Sequence, residues 1–200
     1  MKIIGLTGQS GAGKGTVAKI LKKNGIPHID CDEIYHSMLI SGGECTNELA
    51  KHFGSDILAE DGTVDRKKLG SIVFSGEGHE KNLAKLNEIT HSRVLKKCRE
   101  LLEGYKAQGK IAVAVDAPTL FESGFDKECD IILSVIAPHE IRLKRIINRD
   151  RISLEKALER FSAQKSEDFF RENSDYVIEN ATDEDELEKS IQKFIREKLD

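Results

Sequence analysis

Short apolar runs alternate along this chain with longer stretches of helical periodicity. Lys2 to Leu6, Gly25 to Asp30, Ile111 to Asp116 and Ile131 to Ile136 are rich in Ile and Val and bounded by Gly, Pro or Asp. Apolar runs of this length, without polar alternation, mark strands buried on both faces of a parallel sheet. Tyr176 to Ile178 adds a candidate fifth strand. Between the runs, Val17, Ile20 and Leu21 share one face of a predicted helix over Lys14 to Asn24, and a second helix, His139 to Arg151, follows Pro138, a favourable first-turn residue. The alternation predicts an α/β fold, an open, mostly parallel five-stranded sheet flanked by helices.

Residues 33–108 break that rhythm. They read as helices joined by polar connections at Ser41-Gly42-Gly43, Asp61-Gly62 and Ser75 to Gly78, with no convincing strand. The stretch is too long for a simple crossover and is expected to form an inserted helical region. The chain is then expected to be a single domain, with residues 1–32 and 109–200 as its core and a helical lid over about residues 151–170. Asp183 to Leu199 is amphipathic, with Leu187, Ile191, Phe194 and Ile195 inward, and reads as a closing helix.

A formal charge of −4 with 33% charged residues offers no broad basic face, so neither nucleic acid nor an anionic membrane is the expected partner. A small molecule fits better. Cys31, Cys45, Cys98 and Cys129 have no metal-ligand spacing and form no disulfide framework pattern, which predicts reduced thiols in a cytoplasmic protein. The first strand begins directly after Met1, leaving no room for a signal peptide, and no apolar run approaches the roughly 20 residues of a membrane-spanning helix.

The run Gly8-Gln9-Ser10-Gly11-Ala12-Gly13-Lys14-Gly15-Thr16 lies between the first strand and the first helix. A polyphosphate needs inward-pointing backbone N–H groups, a helix N-terminus and a nearby cation. Gly8, Gly11 and Gly13 permit the turn, and Lys14 supplies the charge. The spacing Gly8-x4-Gly13-Lys14 is that of a phosphate loop, but Gly15 stands where a Ser or Thr hydroxyl usually meets Mg²⁺, and the hydroxyl arrives at Thr16. Thr16 is therefore expected to contact phosphate, with Mg²⁺ held largely through water and carboxylates elsewhere.

If a triphosphate sits there, the chain must also orient a nucleophile and neutralise the transferring phosphoryl group. Asp30 and Asp32 follow the second strand at its carboxyl end, where ligands of open α/β sheets bind. Asp32 reads as a general base toward an acceptor hydroxyl or, equally, as the cap of a helix starting near Glu33. Asp116 ends the third strand, as a carboxylate organising Mg²⁺ water or as a turn residue before Pro118. Arg142, Arg145 and Arg149 line one side of their helix, with Arg160 beyond. They fit a guanidinium cluster over a phosphate, or a solvent-exposed stripe paired with Glu140, Asp150 or Glu155.

Several segments in order give the chain a resemblance to dephospho-coenzyme A kinases. They are Ile4 to Gly8 with Gly11 to Val17, Ile29 to Asp32, Asp61 to Leu69 with Val73-Phe74, Pro118 to Glu122, Leu143 to Asp150, Gln164, and Tyr176 to Asn180. The resemblance implies transfer of the γ-phosphoryl group of ATP to the ribose 3′-hydroxyl of dephospho-coenzyme A, with Mg²⁺. It implies ATP contacts from Gly11, Ala12, Gly13, Lys14, Gly15 and Thr16, Asp32 as base, Arg145 and Arg149 as lid-region arginines, and Asn180 near the adenine. The chain departs from the family pattern at Gly15, where Ser is common, and at Ser92 after His91, where Pro is common. A nucleoside monophosphate kinase and a non-catalytic ATP-binding module are the alternatives.

Overall fold

In the computed structural model, residues 1–74, 78–162, 164–181 and 183–199 are described. They divide into two compact units, residues 1–29 with 102–200, and residues 30–101.

The first unit is built on a five-stranded sheet in which β1 (Lys2–Gly8) is central, in the order β2 (His28–Asp30), β3 (Ala112–Asp116), β1, β4 (Ile131–Ile136), β5 (Tyr176–Glu179). Strand β1 runs parallel to both neighbours, with Leu6 beside Asp116 and Thr7 beside Ser134, and β5 runs parallel to β4. All five apolar runs are strands, but β2 is shorter than the run Gly25 to Asp30. The first residues of that run serve the preceding helix α1 (Lys14–Lys23) instead: Gly25, with φ of 80°, and Ile26 return their amides to the carbonyls of Lys22 and Leu21. A left-handed glycine closing a helix in this way satisfies its last carbonyls.

Val17, Ala18, Ile20 and Leu21 of α1 pack with Ile4, Leu6, Leu133 and Val135 of the sheet and with Leu187, Ile191 and Phe194 of α9 (Glu184–Lys198). The predicted closing helix is thus seated as its periodicity implies, capped by Asp183 accepting from the Glu186 amide at 3.0 Å. On the opposite face, a Cβ at Gly5 would lie 2.8 Å from Cys129 Sγ and 2.9 Å from Leu120, so the central strand has no room for a side chain there.

The second unit holds α2 (Cys31–Ser37), α3 (Glu44–Phe53), α4 (Arg66–Phe74) and most of α5 (His79–Ala107). Leu39, Leu49, Ile57, Leu69, Val73 and Ile89 form its core. Among its described residues the regular structure is helical, with an isolated antiparallel bridge between Leu58 and Val64. The bridge brackets the Asp61-Gly62 turn, where the Asp61 carboxylate accepts from the Thr63 hydroxyl and, at 2.9 Å, from the Thr63 amide, and these bonds hold its pKa below the usual carboxylate value. Of the polar connections read from the sequence, residues 75–77 lie outside the described residues.

Beyond β4 come α6 (His139–Asp150), α7 (Leu154–Ser162) and α8 (Glu167–Glu172), so the region expected to form a lid is helical. Arg151 joins α6 to α7 with φ of 52°, the one left-handed non-glycine residue among those described. Among the described residues no helix is long and apolar enough to cross a membrane.

Candidate active site

The glycine-rich run turns from β1 into α1. Gly8 lies so close to β4 that a Cβ would overlap the Val135 carbonyl oxygen at 2.1 Å. Gly11 (φ 80°) abuts the backbone of Arg142, and Gly13 (φ 97°) is the left-handed residue immediately before α1. Within the loop, the Gln9 amide donates to Val135 O and the Ala12 amide to Gln9 O, both at 3.1 Å. The amides of Gly11, Gly13, Lys14 and Gly15 have no hydrogen-bond partner among the described residues. Open amides at a helix N-terminus form a cradle for an anion. A Cβ on Gly15 would meet nothing within 4 Å, so that side of the loop is open.

Asn180 and Arg145 close the other side. The buried Asn180 donates from Nδ2 to the Ala12 carbonyl at 2.7 Å, and its own backbone amide donates to Ile136 O at 2.8 Å. Arg145 Nη1 points at the carbonyls of Gly11, Ala12 and Asn180, 3.3–3.4 Å away. Asn180 also crowds position 13, where a Cβ would sit 2.2 Å from its Nδ2 on a left-handed backbone.

Lys14 Nζ donates to Asp116 Oδ1 at 2.8 Å, with both side chains largely buried. Sequence spacing gives these two groups separate tasks, one toward phosphate and one toward metal water; the fold pairs them. Among the described residues no group of three or more His, Cys, Asp or Glu is placed to hold a metal ion. The Asp116 carboxylate, bonded to Lys14, and the Thr16 hydroxyl are oxygen donors of the kind that Mg²⁺ takes when phosphates and water supply the other ligands. Thr16 is half-buried in the first turn of α1.

The arginines of α6 do not share one role. Arg142 is 5% exposed, donates from Nε to Ser10 O at 3.0 Å and from Nη2 to Gln164 Oε1 at 3.1 Å, and lies 4.3 Å from the Phe161 ring centroid. Burial pushes its pKa below the usual guanidinium value, opposed by the charge of Glu167. Its place in a solvent-exposed stripe is therefore corrected: Arg142 is buried, with the ring of Phe161 from α7 on its face. Arg149 is largely exposed and forks onto Asp150 at 2.7 and 3.0 Å, and Arg160 reaches the same carboxylate. The hydrogen bond from Arg149 is the main reason the Asp150 carboxyl is held below its usual pKa.

In the helical unit, Asp30 caps α2 by accepting from the Glu33 amide at 3.0 Å. The capping role open to Asp32 on sequence grounds thus falls to Asp30, because the helix begins at Cys31, and Asp32 is an exposed first-turn residue. Arg66 Nη1 lies 2.7 Å from His36 Nε2, and Arg93 pairs with Glu48. His91 is half-buried on α5. Gln164 also reaches the loop, accepting from the Ser10 amide at 2.9 Å, a contact that no local pattern predicts between residues so distant in sequence.

A parallel sheet with β1 at its centre, a left-handed glycine leading into an amide-lined helix start, and a lysine in its first turn define a P-loop kinase. Shikimate kinase from Acinetobacter baumannii, 18% identical, shares this fold with a TM-score of 0.53 over 100% of this chain and 96% of its own. The dephospho-CoA kinase family profile matches residues 2–186. A dephospho-CoA kinase of Fusobacterium nucleatum is 42% identical over 192 residues, 96% of each chain. The structure of dephospho-CoA kinase from Campylobacter jejuni superposes with a TM-score of 0.73 at 29% identity, covering 98% of this chain and 96% of that one. The chain belongs to the dephospho-CoA kinase family.

Proposed function

We propose that this chain carries out its family's reaction, ATP-dependent phosphorylation of the ribose 3′-hydroxyl of dephospho-coenzyme A, giving coenzyme A and ADP as the final step of coenzyme A biosynthesis. The observation that carries the reading is the set of open amides at Gly11, Gly13, Lys14 and Gly15 beside the Lys14 ammonium, in a chain of this family. Lys14 and these amides hold the ATP phosphates, with Ala12 and Thr16 completing the loop. Asn180 fixes the loop edge on the nucleotide side.

Asp32 accepts the proton of the 3′-hydroxyl as its oxygen bonds to the γ-phosphorus, while the bond from that phosphorus to the β–γ bridging oxygen breaks and ADP leaves. Arg145 and Arg149 stabilise the charge that spreads over the transferring oxygens. Mg²⁺, held by the phosphates with Thr16 and, through water, Asp116, would neutralise the same charge. We assign residues 33–108 to the acceptor substrate and residues 151–170 to a lid, and place the enzyme in the cytoplasm.

The assay is ADP release from ATP and Mg²⁺ with dephospho-coenzyme A, AMP, CMP or no acceptor. Release with dephospho-coenzyme A alone is the expected result; turnover with a monophosphate instead would overturn the acceptor assignment. In the same assay Asp32→Asn lowers kcat by about 10²–10⁴-fold, the range for a lost general base, with ATP affinity kept. An unchanged kcat would remove Asp32 from the chemistry.

A further inference from the structure

Ser10 is the point at which the phosphate loop is tied to the α6–α7 region. Both of its backbone groups are taken by side chains far along the chain. Its N–H donates to Gln164 Oε1 at 2.9 Å, and its C=O accepts from Arg142 Nε at 3.0 Å. Gln164 Oε1 also accepts from Arg142 Nη2 at 3.1 Å, which closes a ring of three residues. The amide hydrogens of Gln164 point back into its own region, with Nε2 donating to the Arg160 carbonyl at 3.0 Å.

The orientation of the Gln164 amide follows from its neighbours. Two donors converge on one of its ends and one acceptor faces the other, so the flipped amide would set NH₂ against two N–H groups and its oxygen against a carbonyl. Gln164 therefore has one satisfactory arrangement, and it places an acceptor on the Ser10 amide. Arg142, the third member, is held in turn by the Phe161 ring on its face, and Phe161 packs on His139 at 4.7 Å between ring centroids. Among the described residues no carboxylate is in ion-pair contact with Arg142, so its bonds to the ring of three are the polar contacts that satisfy it.

We propose that Gln164 is a positioning residue for nucleotide binding: by holding the Ser10 amide and orienting Arg142, it fixes the phosphate loop in the conformation that leaves the next amides open. Ser10 immediately precedes Gly11, whose amide is the first of the open set, and Gly11 packs so closely on Arg142 that a Cβ there would stand only 2.7 Å from the Arg142 carbonyl oxygen. The tether thus acts where the anion cradle begins. Preorganised donors bind an anion better than donors that must first be ordered. The role rests on the nucleotide reading of the loop, and ADP binding to the wild-type enzyme tests that reading separately.

The experiment uses Gln164→Met, which keeps side-chain length and removes the amide, and Gln164→Glu, which keeps an acceptor for Ser10. Amide hydrogen exchange, ADP affinity by calorimetry, and KM for each substrate are measured on the full chain. For Gln164→Met the expected result is loss of Ser10 amide protection with β1 protection retained, ADP affinity and KM for ATP worse by about fivefold, and KM for the acceptor unchanged. Gln164→Glu keeps Ser10 protected. Persistent Ser10 protection in the Met variant, or lost protection with unchanged ADP affinity, overturns the proposal. Equal damage to both KM values together with a lowered unfolding midpoint does so as well, since that pattern belongs to a residue that only stabilises the fold. Loss of Ser10 protection in the Glu variant would show that the oxygen acceptor is not what holds the loop.

Discussion

The two halves of the phosphate loop are held in opposite ways. Residues 8–12 are fastened apart from the Gly11 amide: Gly8 lies against Val135, the Gln9 and Ala12 amides are bonded, Ser10 is tied at both ends, and the Ala12 carbonyl receives Asn180. Residues 13–16 are open, with three amides unclaimed among the described residues and nothing within 4 Å of a Cβ at Gly15. The contrast separates frame from function. Donors meant for a ligand stay fixed without internal partners only if the adjoining backbone is over-determined, and that is the work of the first half.

The strongest way to break the open half is Lys14→Ala. Loss of the ammonium beside the phosphates should lower kcat by at least about 10²–10³-fold while the folded state persists by circular dichroism. Near-normal turnover would refute a phosphate-binding role for this lysine.

A pair of glycine substitutions sharpens the boundary between the halves. Gly13→Ala forces a Cβ onto a left-handed backbone and against Asn180 Nδ2, and should destabilise the fold by about 1–3 kcal/mol in chemical denaturation. Gly15→Ala has an ordinary backbone and free space, and should shift stability by less than about 1 kcal/mol. Equal losses at the two positions would erase the distinction.

The smallest expected effect concerns the Lys14–Asp116 pair. With Asp116→Asn, Lys14 no longer has a carboxylate partner to leave, so ADP without metal should bind about fivefold tighter by calorimetry. Unchanged metal-free affinity would mean that the ion pair does not restrain Lys14.

Much of this arrangement is visible in the residues themselves. The strands are unbroken Ile- and Val-rich runs, and α9 shows its inward face as Leu187, Ile191 and Phe194, because burial in a sheet core and periodicity on a helix are local properties. The glycines and Lys14 are local too, since a turn demands its own residue types. The division of labour between Asp30 and Asp32 is not legible, because it depends on the one residue at which α2 begins. Nor is the burial of Arg142. Spacing puts it on one side of α6 with Arg145 and Arg149, but what covers Arg142 is Phe161 of another helix, while Arg149 stays exposed. Asn180 on Ala12 and Gln164 on Ser10 are tertiary choices that periodicity does not record.

Those last two contacts have a consequence in time. The glycine motif is complete by Thr16, yet its central strand pairs with residues 112–116 and 131–135 and its loop is tied by partners 154 and 168 residues away. Until residues 112–135 and Asn180 are made, a nascent chain therefore carries the glycine signature without the contacts that hold it, and an apolar strand waits for its neighbours. The tie on the Ala12 carbonyl forms only once Asn180 is made, so a messenger truncated before that codon yields a polypeptide with the signature intact and that tie missing.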